Sequence, residues 1–137
     1  MIHLKPLAGS VGYRKQGTGP ILDCALRDLY ALETGGIDAV IVENLGDAPY
    51  AKLAPRETIA MMAVIVQRLV EKTNLPVGVN VLRNDGLAAM AIAAATGASF
   101  IRVNVFTGVA FTDQGIIEGQ ARDLKWLKRD LGTETAI

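Results

Sequence analysis

Polar and charged side chains lie at or near the ends of short apolar segments, and these residues could do chemistry. Glu43 ends one segment, Asn80 lies within a second, and Arg102 and Asn104 lie within a third. A carboxylate that ends a hydrophobic strand must be paired or functional, because an isolated charge is costly to bury. Glu43 is therefore a candidate general base or metal ligand. Arg102 is either an anion-binding residue or the ion-pair partner of Glu43.

The first apolar segment carries two further candidates, His3 and Lys5. His3 is the single histidine of the chain, and it could transfer protons or ligate a metal. The alternative is a histidine whose hydrogen bonds are satisfied inside the fold. Lys5 could bind an anion or form an imine with a carbonyl substrate. A salt bridge with Glu43 would explain it equally well.

Residues after the segments complete the candidate set. Arg83 could hold a phosphate or carboxylate group, whereas Asp85 is fully explained as a helix cap. Asp113 lies in a long loop, which could be an active-site lid or a surface loop. Asn44 and Asp47 could supply oxygen ligands suited to magnesium, although Asp47 is more typical of a turn. No metal site is assigned on this basis, and no cofactor is identified.

Composition limits the classes of function. The 137 residues are half hydrophobic, with 14 lysines and arginines against 14 aspartates and glutamates. This balance argues against a nucleic-acid-binding protein. One cysteine excludes an intrachain disulfide, and no apolar run reaches the roughly 20 residues of a membrane span. We therefore expect a single domain, 1–137, that is cytoplasmic or attached to a membrane surface.

Hydrophobic periodicity predicts four strand–helix units. Strands are predicted at 1–6, 39–42, 77–82 and 100–105, and helices from about 20 to 35, 55 to 73, 86 to 96 and 117 to 130. Alternation of this kind predicts an α/β fold with parallel strands and right-handed crossovers. The glycine-rich stretch 9–19 lacks the spacing of a Walker or dinucleotide-binding motif.

A weak internal repeat predicts which way the strand residues face. Aligning Gly36 with Gly97 brings Glu43 and Asn104 to the same place, and Asn80 joins them if the third strand follows the same register. Lys5 falls there in the first strand. Side chains alternate between the faces of a strand, so these polar residues should face inward while the valines between them face the helices.

Several runs resemble the BtpA/SgcQ family. They are Ile2-His-Leu-Lys-Pro-Leu7, Gly35-Gly-Ile-Asp-Ala-Val-Ile-Val-Glu-Asn44, Leu75-Pro-Val-Gly-Val-Asn-Val-Leu-Arg-Asn-Asp85, Ala93-Ala-Ala-Thr-Gly-Ala98, Phe100-Ile-Arg-Val-Asn-Val105 and Thr112-Asp-Gln-Gly-Ile-Ile-Glu-Gly119. The resemblance implies a (β/α)8 TIM barrel like those that bind ribulose phosphate, of which this chain supplies about the first four units.

Three functions are compatible with the resemblance. The first is a site for a small phosphorylated or polyhydroxy compound at the mouth of the barrel, with His3, Lys5 and Glu43 in catalytic positions and Asn80, Arg83, Arg102, Asn104 and Asp113 around the substrate. The second is a noncatalytic biogenesis factor for a membrane complex such as photosystem I. The third is an inactive, truncated chain. A half-barrel should also leave sheet edges open, so we expect either self-association or a complementary C-terminal half-barrel as partner.

Overall fold

Four strand–helix units follow one another along the chain, and a β-hairpin is inserted between the last strand and its helix. The computed structural model describes all residues, 1–137. The elements are β1 (Ile2–His3), α1 (Gly19–Thr34), β2 (Val40–Glu43), α2 (Arg56–Val70), β3 (Val77–Asn80), α3 (Gly86–Thr96), β4 (Phe100–Ile101), β5 (Val109–Thr112), β6 (Gly115–Glu118) and α4 (Ala121–Asp130). The prediction of an α/β protein with four strand–helix units is confirmed.

The main sheet is parallel, with its strands in the order β1-β2-β3-β4. The pairing of β2 with β3 follows the predicted register, since Val40 lies opposite Val77 and Glu43 opposite Asn80. Beyond β4, Ala136 continues the sheet through a parallel bridge to Phe100. α4 therefore connects β4 to a segment that lies parallel to it at the edge of the sheet.

The core lies between one face of the sheet and the helices. Outward-facing strand residues, among them Val42, Val79 and Ile101, are buried in a single hydrophobic cluster with the inner faces of the helices. The helices pack in chain order, α1 on α2, α2 on α3 and α3 on α4. The prediction that these apolar strand residues face the helices is confirmed. The polar strand residues therefore lie on the opposite face of the sheet.

The outer strands differ in register from the internal repeat by two residues. His3, and not Lys5, lies opposite Glu43. Val79 pairs with Ile101, which brings Arg102 rather than Asn104 towards the level of Asn80. Because side chains alternate with a period of two, a two-residue shift leaves every side chain on its predicted face. Its effect is to change which polar residues share a level of the sheet.

The segment after Ile101 also departs from the prediction. β4 stops at Ile101, although a strand was predicted through to Val105. The side chain of Asn84 takes over the role of a neighbouring strand there: its Oδ1 accepts from the Val105 N–H at 2.8 Å and its Nδ2 donates to the Val105 carbonyl at 3.2 Å. A side-chain amide presents the same donor and acceptor as a peptide group, so the backbone groups of Val105 are satisfied without a strand beside them.

The predicted long loop from Phe106 to about Gly115 contains an antiparallel hairpin. β5 pairs with β6 over four positions, and Phe111 lies opposite Ile116. The hairpin extends to Glu118, so the last helix begins at Ala121, four residues later than predicted. Segment 109–117 is rich in β-branched and aromatic residues, which favours strands. Its central residues, Asp113-Gln-Gly115, are typical of a loop, and a loop was therefore predicted for the whole segment.

Candidate functional site

A buried carboxylate, Glu43, is the centre of a polar cluster at the C-terminal ends of the parallel strands. Its side chain is 6% exposed. One oxygen, Oε2, accepts hydrogen bonds from Asn80 Nδ2 and from Arg102 Nη1, the latter at 3.3 Å. The other, Oε1, lies 3.7 Å from His3 Nε2. Each of the four strands or its direct extension contributes one residue, because the observed register sets these side chains at one level.

Arg83 and Asn104 form a second polar group beyond the cluster. Asn104 Nδ2 donates to the Arg83 backbone carbonyl at 2.9 Å, while Asn104 Oδ1 is buried without a donor. Arg83 is half-buried as a residue, and its side chain makes no ion pair or hydrogen bond. The two arginines therefore differ: Arg102 neutralises Glu43, and Arg83 is a cation free to meet an anion.

An open groove of about 400 Å3 joins these two groups. Glu43, Arg83, Arg102 and Asn104 line its polar side. The hairpin lines the other side, since Ala110 and Thr112 of β5 and Ile117 of β6 face the groove. The site is thus a concave surface with a charged floor and a mostly apolar wall, which is the usual chemistry of a small-molecule site.

Tyr50 is a groove residue that the sequence analysis did not single out. Its hydroxyl donates to the Leu45 carbonyl at 2.7 Å, and the residue lines both the groove and a smaller cavity of about 110 Å3. Burial raises the pKa of Tyr50, and the nearby charges of Glu43 and Asp47 raise it further. The phenol is therefore neutral at physiological pH and acts as a hydrogen-bond donor. A lone tyrosine in a loop carries no sequence signal for this position.

Asn44 and Asp47 hold the loops together and do not face a metal. Asn44 Oδ1 accepts from the Leu82 N–H at 2.7 Å, and its Nδ2 donates to Asp47 Oδ2 at 3.0 Å. Asp47 Oδ1 accepts from the Leu7 N–H at 2.7 Å. Both side chains are buried, and no three His, Cys, Asp or Glu side chains in residues 1–137 converge as a metal site would require. These residues tie the ends of β1, β2 and β3 together beneath the groove.

Asp85 caps α3, as the sequence indicated, and has a second partner. Its Oδ1 accepts from the Ala88 N–H at 3.0 Å, which satisfies one free donor of the first helical turn. Its Oδ2 accepts from the Ala54 N–H, also at 3.0 Å. The carboxylate thus connects the loop before α2 with the start of α3. Both of its oxygens accept backbone hydrogen bonds, so its role is structural.

The structure brings six of the eight predicted site residues together and leaves Lys5 and Asp113 apart from them. His3, Glu43, Asn80 and Arg102 form the cluster, and Arg83 and Asn104 lie beside it. Lys5 is exposed, makes no ion pair with Glu43 and does not line the groove. Asp113 is exposed in the hairpin turn, where its carboxylate accepts from Gln114 Nε2. Both residues are separated from the cluster.

The fold and site define a class: a parallel α/β protein with a polar groove at the C-terminal ends of its strands. Comparison with protein families narrows this class. The chain belongs to the BtpA family, whose model matches residues 1–137.

Relatives in archaea, cyanobacteria and bacteria agree with this assignment. An uncharacterized protein of Thermococcus kodakarensis is 51% identical over 137 residues, which is 100% of this chain and 52% of that protein. The photosystem I biogenesis protein BtpA of Synechocystis is 45% identical over 138 residues, 100% of this chain and 48% of its own length. The sgc region protein SgcQ of Escherichia coli is 42% identical over 117 residues, 85% of this chain and 43% of its own.

The chain spans about half the length of the curated relatives it matches. No solved structure matches it significantly. Among the helices of the chain, none combines the length and apolar character needed to cross a bilayer.

Proposed function

We propose that the chain forms the first half of a (β/α)8 barrel whose mouth binds a small phosphorylated or polyhydroxy compound. The observation that carries the proposal is the cluster around Glu43. It places a buried carboxylate with an amide, an arginine and a histidine at the C-terminal ends of parallel strands, which is where barrel enzymes bind their ligands.

Two further observations support the barrel. The parallel bridge at Ala136 lies on the far side of β4 from β3, so the main sheet adds its segments in chain order and in one direction. The matched relatives are about twice as long as the chain, and 137 residues is about half of the roughly 250 that a complete barrel needs. Four units from this chain would then contribute one side of the mouth.

The cluster supports distinct roles for its members. Glu43 is the group that accepts a proton, or a hydrogen bond from a ligand hydroxyl, because its Oε1 has no donor within hydrogen-bond distance. Asn80 and Arg102 orient the carboxylate through their hydrogen bonds to Oε2, and His3, with its half-exposed ring, is positioned between Glu43 and solvent to pass a proton. The proposal gives Lys5 and Asp113 no role in the groove.

A noncatalytic role in assembly of a membrane complex is the second candidate. It is favoured by one observation, the 45% identity to a protein named for photosystem I biogenesis. The two functions separate experimentally. A ligand site predicts saturable binding of a small molecule in the groove, whereas an assembly factor predicts recovery with a membrane complex and no small-molecule binding.

Glu43→Gln is expected to weaken binding of ribose 5-phosphate by about tenfold or more. The substitution keeps the shape and an acceptor for Asn80, but it removes the charge that receives a ligand hydroxyl, and hydrogen bonds to charged groups contribute about 1.5–3 kcal/mol. Isothermal titration calorimetry measures the effect. Glu134→Gln is the matched control, because Glu134 is exposed in the loop after α4. Equal affinities for the two variants would remove Glu43 from the site.

A further inference from the structure

The two arginines of the groove leave one cationic position open. Arg102 is already paired with Glu43 at 3.3 Å. Arg83 has no anionic partner, although its side chain is half-buried and lines the same groove. Its charge is therefore available to an anion that enters the groove. The planar donor fork of arginine suits a phosphate or a carboxylate, which it can bind in two places at once.

The two oxygens of Glu43 leave one acceptor open. Oε2 is occupied by Asn80 and Arg102. Oε1 has no donor within 3.5 Å, and it is not among the side-chain atoms sealed from solvent without a partner. The nearest donor is His3 Nε2 at 3.7 Å, on a side chain that is 48% exposed. A neutral hydroxyl is the group that suits this position, since an anion would be repelled by the carboxylate.

The open cation and the open acceptor belong to one groove with the hairpin over it. Ala110 and Ile117 give the hairpin wall an apolar surface against which a carbon chain can lie, and Thr112 adds one hydroxyl. A ligand that reaches both groups must carry an oxyanion and a hydroxyl on one compact skeleton. Either group alone would satisfy only half of the site.

Resting on the proposed function, we propose that this groove recognises a hydroxylated oxyanion, with Arg83 binding the phosphate or carboxylate group and Glu43 Oε1 accepting a hydroxyl hydrogen. Arg83 is thereby a specificity-determining residue for charge. Glu43 selects for hydroxyl groups. Because the two interactions are made within one molecule, the second is formed without a further loss of translational freedom, and the combined affinity exceeds that of the separate fragments.

Calorimetry with four probes tests this division of roles. The probes are ribose 5-phosphate, ribonate, ribose and inorganic phosphate, each titrated into the unmodified chain and into variants. Ribose 5-phosphate or ribonate should bind at least a hundredfold more tightly than ribose or phosphate alone. Whichever of these two compounds binds more tightly shows whether Arg83 binds a phosphate or a carboxylate group.

Two variants should dissociate the roles. Arg83→Gln should weaken the hydroxylated oxyanion by about tenfold to a hundredfold and leave ribose unchanged, whereas Glu43→Gln should weaken ribose without weakening inorganic phosphate. Arg68→Gln is the matched control, because it removes the same charge from an exposed surface ion pair on α2. Circular dichroism and urea unfolding verify that each variant is folded.

The outcomes also separate this inference from the proposed function. If Glu43→Gln weakens binding but Arg83→Gln does not, or if inorganic phosphate binds as tightly as the hydroxylated oxyanions, the division of roles is wrong and the groove remains a ligand site. If no probe binds, or if both variants bind like the Arg68→Gln control, the inference and the proposed function fall together.

Discussion

Replacing Gly46 with alanine should destabilise the chain by about 3 kcal/mol, at the upper end of the cost of overpacking. A Cβ on Gly46 would lie 2.6 Å from the Leu4 carbonyl oxygen, 2.8 Å from the Pro6 nitrogen and 2.9 Å from the Lys5 carbonyl carbon. All three atoms are backbone, so no side chain can rotate away to relieve the contact. Urea unfolding followed by circular dichroism measures the loss.

The same substitution should disturb the site. The Gly46 N–H donates to the Leu4 carbonyl at 3.1 Å, and the Leu4 N–H donates to the Glu43 carbonyl at 2.8 Å. These bonds hold the end of β1 beside the end of β2 and thereby set His3 against Glu43. Gly19→Ala is the control, since its Cβ would meet no atom within 4 Å and should change the stability by less than about 0.5 kcal/mol. Equal unfolding midpoints for the two variants would show that the packing around Gly46 is looser than described.

Self-association of the 137-residue chain is the second large effect that we expect. β1 is paired on one side only, and on the far side of β4 the sheet ends at the short segment around Ala136. Unpaired strand edges recruit other chains, and a closed barrel is the arrangement that removes them. Sedimentation velocity at several concentrations should show dimers or larger species.

A substitution at the open edge provides the control for that experiment. Ile137 lies beside the last bridge and is 46% exposed. Ile137→Lys places a charge at the edge, a device by which natural sheets avoid pairing, and it should shift the sedimentation profile towards monomer. A compact monomer with a sharp, concentration-independent unfolding transition in the unmodified chain would contradict the half-barrel account.

The sequence predicted the fold and the faces of its strands because both follow from periodicity. In β2 and β3 every second residue is a valine, and this period of two assigns the valines to the face that packs on the helices. Glu43 and Asn80 follow a valine in each strand, so they lie on the opposite face, where the site is. The level of each residue along the sheet was harder to predict from the sequence. It depends on backbone bonds from distant loops, such as the one from Gly46 to Leu4, and these place His3 and not Lys5 beside Glu43.

The framework of the site was harder to predict than its charged members. Asn84 acts as a substitute for a peptide group beside Val105, and Asn44 ties Leu82 to Asp47, but neither role leaves a pattern in the sequence. The hairpin was missed because its turn residues are typical of a loop. The position of Tyr50 depends on the path of the whole segment between β2 and α2.

Mapping the bound ligand by NMR tests the central claim most directly. Ribose 5-phosphate is titrated into the 15N-labelled chain, and the backbone and side-chain amide signals are followed. The account predicts that the largest shifts occur in the side-chain amides of Asn80 and Asn104, at Arg83 and Arg102, and in the hairpin 109–118. Saturable shifts confined to another surface, or no shifts at millimolar ligand, would contradict the claim that the strand ends around Glu43 form a ligand site.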